Sequence, residues 1–122
     1  MIAERTYKKG YRNLIAWQEA KKLTTKIYAV TRKFPKEEQY HLVSQLRRAA
    51  TSIMANLAEG SAMSTKVHRN AFYTRARGSA VEVDNFVELC WELRLMQEQE
   101  YADLIDHVAR VIYLITKLIY SM

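Results

Sequence analysis

Glycine and proline are nearly missing from this chain, and their scarcity limits what it can fold into. Only three glycines and one proline occur among 122 residues. Sheets and long loops use both residue types at their turns, so a chain with so few of them has room for only a few breaks between long elements. The sequence therefore predicts long helices and an all-α fold.

Four segments repeat apolar residues at the spacing of one helix face. In the last segment the repeat runs 4-3-4-3-4 from Leu104 to Met122. Pro35 ends the first segment because proline disfavours helical geometry in the residue before it, and Gly60 is expected to end the second as a left-handed cap. The predicted helices span residues 12–34, 36–59, 64–96 and 100–121, after a polar leader at 1–11.

The predicted helices are long and their connections are short, which favours antiparallel packing between sequence neighbours. The chain is therefore expected to form one domain over residues 1–122, an up-down-up-down four-helix bundle. The third break is the least marked, since residues 96–100 hold neither glycine nor proline. The first and fourth helices carry apolar bands wider than one seam requires. Exposed bands of that size favour self-association, so we expect a homo-oligomer.

The single cysteine and the pattern of apolar runs bear on where the protein works. Cys90 cannot form a disulfide within the chain, and it lies on an apolar face where we expect it to be buried. The first residues lack the apolar core of a signal peptide. No apolar run approaches the roughly 20 residues that a membrane span requires. We therefore expect a cytoplasmic protein with no membrane partner.

Positive charge is concentrated in the first two-thirds of the chain. Residues 1–78 hold 16 lysines and arginines against 5 carboxylates, a net charge of +11, whereas residues 79–122 hold 3 against 8, a net charge of −5. An up-down-up-down bundle brings the start of the third helix beside the start of the first and the end of the fourth. The cations there define a basic pole, with candidate nucleic-acid-binding residues Lys8, Lys9, Arg12, Lys66, Arg69, Arg75, Arg77 and Lys117.

A basic pole of this kind suits the phosphates of a nucleic acid, because each phosphate that a cation neutralises releases counterions. An ordinary solvated face explains the same charges, so both interpretations stay open. No helix-turn-helix, zinc-finger or RNA-recognition signature occurs, which argues against base-specific reading.

The second helix carries a polar row at intervals of 3, 4, 4 and 3, which one helix face can present. The members of this polar row are Gln45, Arg48, Ser52, Asn56 and Glu59. One interpretation is a hydrogen-bonded structural seam between helices or subunits, since half-buried polar groups must be paired, with Arg48 meeting a carboxylate such as Glu59 or Glu82 on a neighbour. The alternative is a binding groove.

Residues that carry catalysis or bind metal do not form a complete set. Glu38 and His41 match one Glu-x-x-His element of di-iron bundles, which require two such elements and two further glutamates. Asp103 and His107 stand four residues apart, the spacing of a surface contact on one helix. No phosphate-binding loop and no catalytic triad is recognisable. We therefore expect no enzyme activity, no metal site and no cofactor.

Several motifs in register resemble a known family. The motifs are Leu14–Ala20 (LIAWQEA), Phe34–Glu38 (FPKEE), Gln45–Ile53 (QLRRAATSI), Ala55–Gly60 (ANLAEG), and Ala76–Ser79 (ARGS) followed by Glu82. Together they make residues 12–120 similar to the four-helix-bundle proteins encoded within intervening sequences of bacterial 23S ribosomal RNA genes. That fold family includes the accessory variability determinant proteins of diversity-generating retroelements. Residues 61–63, Ser-Ala-Met, depart from the basic or aromatic residue expected there.

The resemblance implies a ring-shaped homo-oligomer, typically a pentamer, with no known enzymatic activity. Retroelement members are similar basic rings that contact nucleic acid and a reverse transcriptase, so RNA, DNA and a reverse transcriptase are the partners it implies. The sequence favours a non-catalytic oligomer that binds RNA or DNA backbone through the basic pole. The alternative is a protein–protein assembly module, docking a reverse transcriptase or a ribosome-associated partner without nucleic-acid contact.

Overall fold

Helices make up all the regular structure in residues 9–121, the part of the chain that the computed structural model describes, with side chains from residue 10 onward. The five α-helices there are α1 (Lys9–Arg12), α2 (Ile15–Thr31), α3 (Ser44–Ser61), α4 (Lys66–Glu92) and α5 (Glu98–Ile119). The prediction of an all-α helical bundle is confirmed. The predicted count of four helices is not confirmed, because a separate four-residue helix, α1, precedes α2.

The segment between α2 and α3 is not the start of one continuous helix over 36–59. Pro35 has φ −55° and ψ 148°, an extended backbone from which a new turn begins. Lys36–Glu38 form a 3-10 turn and Gln39–Val43 form a π-helical turn. Regular α-helix begins only at Ser44. These tighter and wider turns change the direction of the chain without using a glycine.

Gly60 lies inside α3 and does not end it as a left-handed cap. No glycine in the described part of the chain has positive φ, and α3 continues to Ser61. The glycine provides space instead, since a Cβ at this position would lie 2.7 Å from the Tyr73 ring and 3.0 Å from the Cβ of Phe72 on α4. The close approach of α3 to α4 therefore depends on Gly60.

The break between α4 and α5 comes earlier than predicted. α4 ends at Glu92, and Arg94 adopts the left-handed conformation with φ 58°. At the start of α5, Gln97 and Glu100 form a capping box, in which the Glu100 carboxylate accepts a hydrogen bond from the Gln97 backbone N–H at 3.0 Å. The Gln-x-x-Glu spacing is the sequence signal for this break.

The four long helices pack antiparallel to their neighbours in the order α2, α3, α4 and α5, and α5 also packs against α2. Contacts between α2 and α5 show the direction. Glu19, near the start of α2, meets His107, and Lys33, just past the end of α2, meets Glu100 at the start of α5. The same up-and-down order brings the end of α3 beside the start of α4.

The core is formed by the apolar stripe of each long helix. Its large, fully buried side chains include Leu23, Ile27, Leu46, Ile53, Leu57, Leu104 and Ile115. Burying a side chain of this size contributes about 1.5–3 kcal/mol. Cys90 is fully buried, as predicted, and this burial raises the pKa of its thiol to about 11.

Other residues of the same chain cover most of the apolar bands of α2 and α5. The self-association was predicted from exposure of these two bands, so that reason for it is wrong. Ile105 and Ile112 pack against the core, and Ile119 is buried. Four of the eight large apolar side chains that are exposed in the described residues lie on α4 or just past its end instead. These four are Val67, Val81, Leu89 and Leu93. Within residues 9–121, no helix combines the length and the apolar character that crossing a membrane requires.

Replacing Gly60 by alanine should destabilise the fold by about 1–3 kcal/mol, because the added methyl group overlaps the Tyr73 ring. The matched control is Gly10→Ala, since no atom lies within 4 Å of a Cβ built there. Urea unfolding followed by circular dichroism, at equal protein concentration, measures both variants. A Gly60 variant as stable as the parent chain would contradict the packing role.

Candidate nucleic-acid interface

The basic pole lies where the end of α3, the start of α4 and the end of α5 come together. Thr65 is the N-cap of α4, and its hydroxyl accepts a hydrogen bond from the His68 backbone N–H at 3.3 Å. Asn70 on α4 donates to the backbone carbonyl of Ile119 at 3.0 Å. The first bond caps α4, and the second holds the first turns of α4 against the last turn of α5.

Six of the eight predicted pole residues have described side chains. Arg12, Lys66, Arg75 and Lys117 are exposed or partly exposed, whereas Arg69 and Arg77 are half-buried. The two half-buried guanidinium groups are used inside the bundle, where they donate to a backbone carbonyl at 3.3 Å and to a threonine hydroxyl at 3.4 Å. Lys8 and the side chain of Lys9 lie outside the described residues. Lys66 also donates a hydrogen bond, to the backbone carbonyl of Ser121, but its side chain stays exposed. The four exposed residues are therefore the stronger candidates for contact with a ligand.

Aromatic rings accompany three of these pole cations. The pairs, with distances from the cationic group to the ring centroid, are Arg75 with Phe72 at 4.9 Å, Lys117 with Tyr113 at 5.5 Å and Arg12 with Tyr11 at 5.7 Å. At an exposed site such a contact contributes about 0.5–1 kcal/mol, enough to orient the cation without removing it from water.

Two exposed tyrosines toward the same pole were not singled out from the sequence. Tyr113 is 59% exposed and Tyr120 is 72% exposed. The helix-face spacing of α5 was the signal that could have found them, since both fall outside its buried stripe. Exposed rings beside cations resemble the surfaces on which single-stranded bases stack.

The pole cations form no ion pair within the described residues, whereas lysines toward the opposite end of the bundle do. Lys26 pairs with Asp103 at 3.0 Å, and Lys33 pairs with Glu100. The acidic residues of α5 are thus partly neutralised by lysines of the α2 side. The pole presents its positive charge to solvent, where an anion can reach it.

Two residues of the α3 polar row take part in partly buried hydrogen bonds, and one of these bonds crosses to α4. The Ser52 and Ser79 hydroxyls lie 2.9 Å apart and link the two helices. Asn56 donates to the Ser52 carbonyl at 2.9 Å and to its hydroxyl at 3.1 Å. These bonds are partly buried, so they satisfy groups that water reaches only in part.

Within one subunit, Arg48 pairs with another member of the polar row, and a carboxylate partner on a neighbouring subunit stays a prediction. Its guanidinium donates to the side chain of Gln45, one turn earlier on the same face of α3. In the described part of the chain it forms no ion pair with Glu59 or Glu82. A position on the outer side of α3 explains this, since Arg48 forms its hydrogen bond in an exposed setting, away from the contact with α4.

A polar cluster between α2 and α5 was not predicted. His107 is buried, and its Nε2 lies 2.9 Å from Glu19 Oε1, so it does not form the surface contact expected with Asp103. Arg110 Nε lies 3.7 Å from the same Glu19 oxygen. Glu19 and His107 are 88 residues apart in the chain, and only the packing of α2 against α5 brings them together.

Burial and neighbouring charges shift both groups of this pair. Burial lowers the pKa of His107, and it outweighs the opposing effect of the Glu19 carboxylate. Burial acts to raise the pKa of Glu19, but the hydrogen bond from His107 and the nearby Lys22 together bring that pKa below its ordinary value. The geometry therefore favours a neutral imidazole that donates to a charged carboxylate.

Metal-ligating side chains do not cluster in the described residues. No group of three or more His, Cys, Asp or Glu side chains there is placed to share a metal ion. His41, half of the single Glu-x-x-His element, is exposed.

The model of the 23S rRNA-intervening sequence protein family matches residues 12–117. The chain belongs to this family. A similar fold occurs in the crystal structure of a protein with unknown function from the S23 ribosomal protein family of Bacteroides thetaiotaomicron VPI-5482, with a TM-score of 0.79 and 16% sequence identity. The similarity covers 88% of this chain and 100% of the other. Comparison with curated proteins gave no match.

Membership of the 23S rRNA-intervening sequence protein family confirms the resemblance carried by the sequence motifs. The matched residues run from Arg12 to Lys117 and so include every described candidate of the basic pole and the whole polar row. The structural neighbour shares the fold at 16% identity. Apolar spacing along the helices, which many sequences satisfy, accounts for a fold that persists at such low identity.

The stability of this 23S rRNA-intervening sequence protein should rise as the pH increases from about 5 to 7. The pKa of His107 is lower in the folded state than in the unfolded chain, whose value is about 6.5, so the unfolded chain binds more protons in this range. The stability that neutral His107 contributes is present above the unfolded pKa and is lost as the pH falls. Urea midpoints at about pH 5, 6 and 7 measure this dependence.

The matched variant is His107→Gln, which keeps a hydrogen-bond donor for Glu19 but does not titrate. Its urea midpoint should vary less over the same pH range. A variant with the same pH dependence as the parent chain would show that another group is responsible.

Proposed function

We propose that the protein is a non-catalytic homo-oligomer that binds the backbone of RNA or DNA through its basic pole. The proposal rests on a difference between two groups of cations, those of the basic pole and the lysines toward the opposite end of the bundle. Arg12, Lys66 and Lys117 form no ion pair within residues 10–121, whereas Lys26 and Lys33 are paired. Accessible cations without a carboxylate partner attract phosphates at long range.

Backbone contacts of this kind position a nucleic acid without reading its sequence. The pole offers cationic side chains for the phosphates, and the exposed rings of Tyr113 and Tyr120 offer surfaces for unstacked bases. Stacking does not discriminate strongly between bases. The expected ligand is therefore a strand or loop recognised by charge and by exposed bases.

Assembly would multiply the charge of the pole. One chain has a net charge of +6, so a ring of five, the assembly that the family resemblance implies, would carry +30. In this proposal the four long helices form the up-down-up-down bundle of each subunit, and every subunit contributes one pole to a continuous surface. No catalytic residue, metal or cofactor is assigned. A cytoplasmic location agrees with the buried, unpaired Cys90.

A specific observation favours a second function, a protein–protein assembly module without nucleic-acid contact. The exposed apolar side chains of α4, among them Val67, Val81 and Leu89, suit a protein surface better than a phosphate backbone. A reverse transcriptase or a ribosome-associated protein would then be the partner. This function predicts a co-purifying protein and no shift of RNA or DNA in a gel.

Reversing the charge of the pole should weaken nucleic-acid binding at least tenfold at about 50 mM salt. The variant is Lys66→Glu with Lys117→Glu, which removes two cations that would otherwise meet phosphates. For every phosphate that is no longer neutralised, the slope of log affinity against log salt should decrease by about 0.9 for duplex DNA and about 0.7 for a single strand. Fluorescence anisotropy with a labelled RNA oligonucleotide and its DNA equivalent measures both quantities.

The matched control is Lys36→Glu with Arg94→Glu, which changes the net charge equally at the opposite end of the bundle, where both residues are exposed. Its affinity should stay within about twofold of that of the parent chain, because these positions lie far from the bound phosphates. Equal decreases in the two variants would show that total charge decides binding and would remove the pole as a site. Absence of binding by the parent chain at 50 mM salt would favour the assembly module.

A further inference from the structure

The outer face of α4 carries a line of uncharged residues that has no partner within the described part of the chain. This α4 line consists of Val67, Ala71, Thr74, Gly78, Val81, Asn85 and Leu89. It extends for about 33 Å at 1.5 Å per residue. Solvent-facing helix surfaces are usually charged, so an uncharged line of this length indicates a face that packs against another surface.

Gly78 stands in the middle of the α4 line, and nothing inside the subunit requires a glycine there. A Cβ at this position would meet no atom within 4 Å, and the residue does not have positive φ. Glycine inside a helix is about 1 kcal/mol less favourable than alanine. Close packing of another molecule against the α4 backbone at this point would account for the glycine.

On the other side of the bundle, α2 and α3 enclose a groove of about 480 Å³. Side chains that line it include Tyr28 and Met54, with Thr25 and Thr51 beside them. The cationic side chains Lys21 and Arg32 line it as well. The groove thus combines an apolar lining with positive charge, and no described side chain fills it.

The groove and the α4 line lie at the same height along the bundle. Thr24 on α2 donates to the Ala50 carbonyl on α3 at 3.3 Å, which fixes the register of those helices. Ser52 on α3 meets Ser79 on α4 at 2.9 Å, which fixes the next register. Through these two contacts, the groove is level with residues 78–88 of α4.

The charges of the two surfaces are complementary. Residues 78–92 of α4 contain no lysine or arginine but hold four carboxylates, those of Glu82, Asp84, Glu88 and Glu92. The Glu88 carboxylate is exposed and also accepts a hydrogen bond from the Tyr101 hydroxyl at 2.9 Å. The groove at this height carries Lys21 and Arg32. An acidic helix segment with an uncharged centre therefore matches an apolar groove with cationic edges.

We propose that residues 78–88 of α4 dock into the α2–α3 groove of a second copy of this chain. α2 and α4 occupy opposite corners of the bundle, since each packs between α3 and α5. The two surfaces are therefore different patches on different sides of one subunit, and their contact is head-to-tail. When every subunit makes this contact at the same height along the bundle, the subunits form a closed ring if the successive rotations between them add up to a full turn. The inference rests on the homo-oligomer of the proposed function and is independent of nucleic-acid binding.

Charge reversal tests this pairing, since Arg32 in the groove is level with Glu88 on α4. Glu88→Arg and Arg32→Glu each bring like charges together, so each should weaken self-association about tenfold or more. Sedimentation velocity at low micromolar concentration should then show a shift from the oligomer toward 14.3 kDa. The double variant restores opposite charges and should restore the oligomer. Glu37→Arg, an exposed position outside both surfaces, is the control and should leave the mass unchanged.

Other outcomes would overturn the proposed interface. An oligomer unaffected by both single variants, while circular dichroism shows all variants folded, would show that the contact lies elsewhere. Dissociation by Glu82→Arg that is rescued by Arg75→Glu, and not by Arg32→Glu, would show that two α4 lines pair with each other around a twofold axis. A parent chain that sediments as a single subunit would overturn the proposed homo-oligomer itself.

Discussion

The close packing of α3 against α4 is the constraint on which the rest of the structure depends. Gly60 leaves room for the Tyr73 ring beside the α3 backbone, and Ser52 meets Ser79 at 2.9 Å. Small groups at both contacts let the two helices approach closely. Their antiparallel register places the start of α4 beside the end of α3 and so sets the position of the basic pole. It also turns the α4 line, which includes Gly78, toward solvent.

Charge is distributed over this scaffold so that the two ends differ. Lysines at one end are neutralised by carboxylates of α5, as in the Lys26–Asp103 pair. The pole carries cations that rest on aromatic rings and pair with no described carboxylate. Contacts with a ring contribute only about 0.5–1 kcal/mol each, so they orient the cations without competing with a phosphate. In a ring, each further subunit would add another basic pole and its positive electrostatic field.

Local sequence signals were enough to predict the helices, because the apolar period is a property of each segment alone. Cys90 was correctly placed in the core. The predictions that failed concerned contacts between residues on different helices, which the sequence of a single segment does not show. The role of Gly60 is set by Tyr73 on another helix, and the partner of His107 is 88 residues away. Half of the exposed large apolar side chains in the described residues proved to lie on α4 or just past its end, since tertiary packing largely covers the bands of α2 and α5.

The mass of the unmodified chain in solution tests the central claim most directly, because the pole and the α4 line both acquire their proposed roles through assembly. Sedimentation velocity between about 1 and 100 µM distinguishes one chain of 14.3 kDa from a closed set of several. A single species of about five chains, with a mass that does not change with concentration, is the predicted result. A compact 14.3 kDa particle over the whole range would contradict the account.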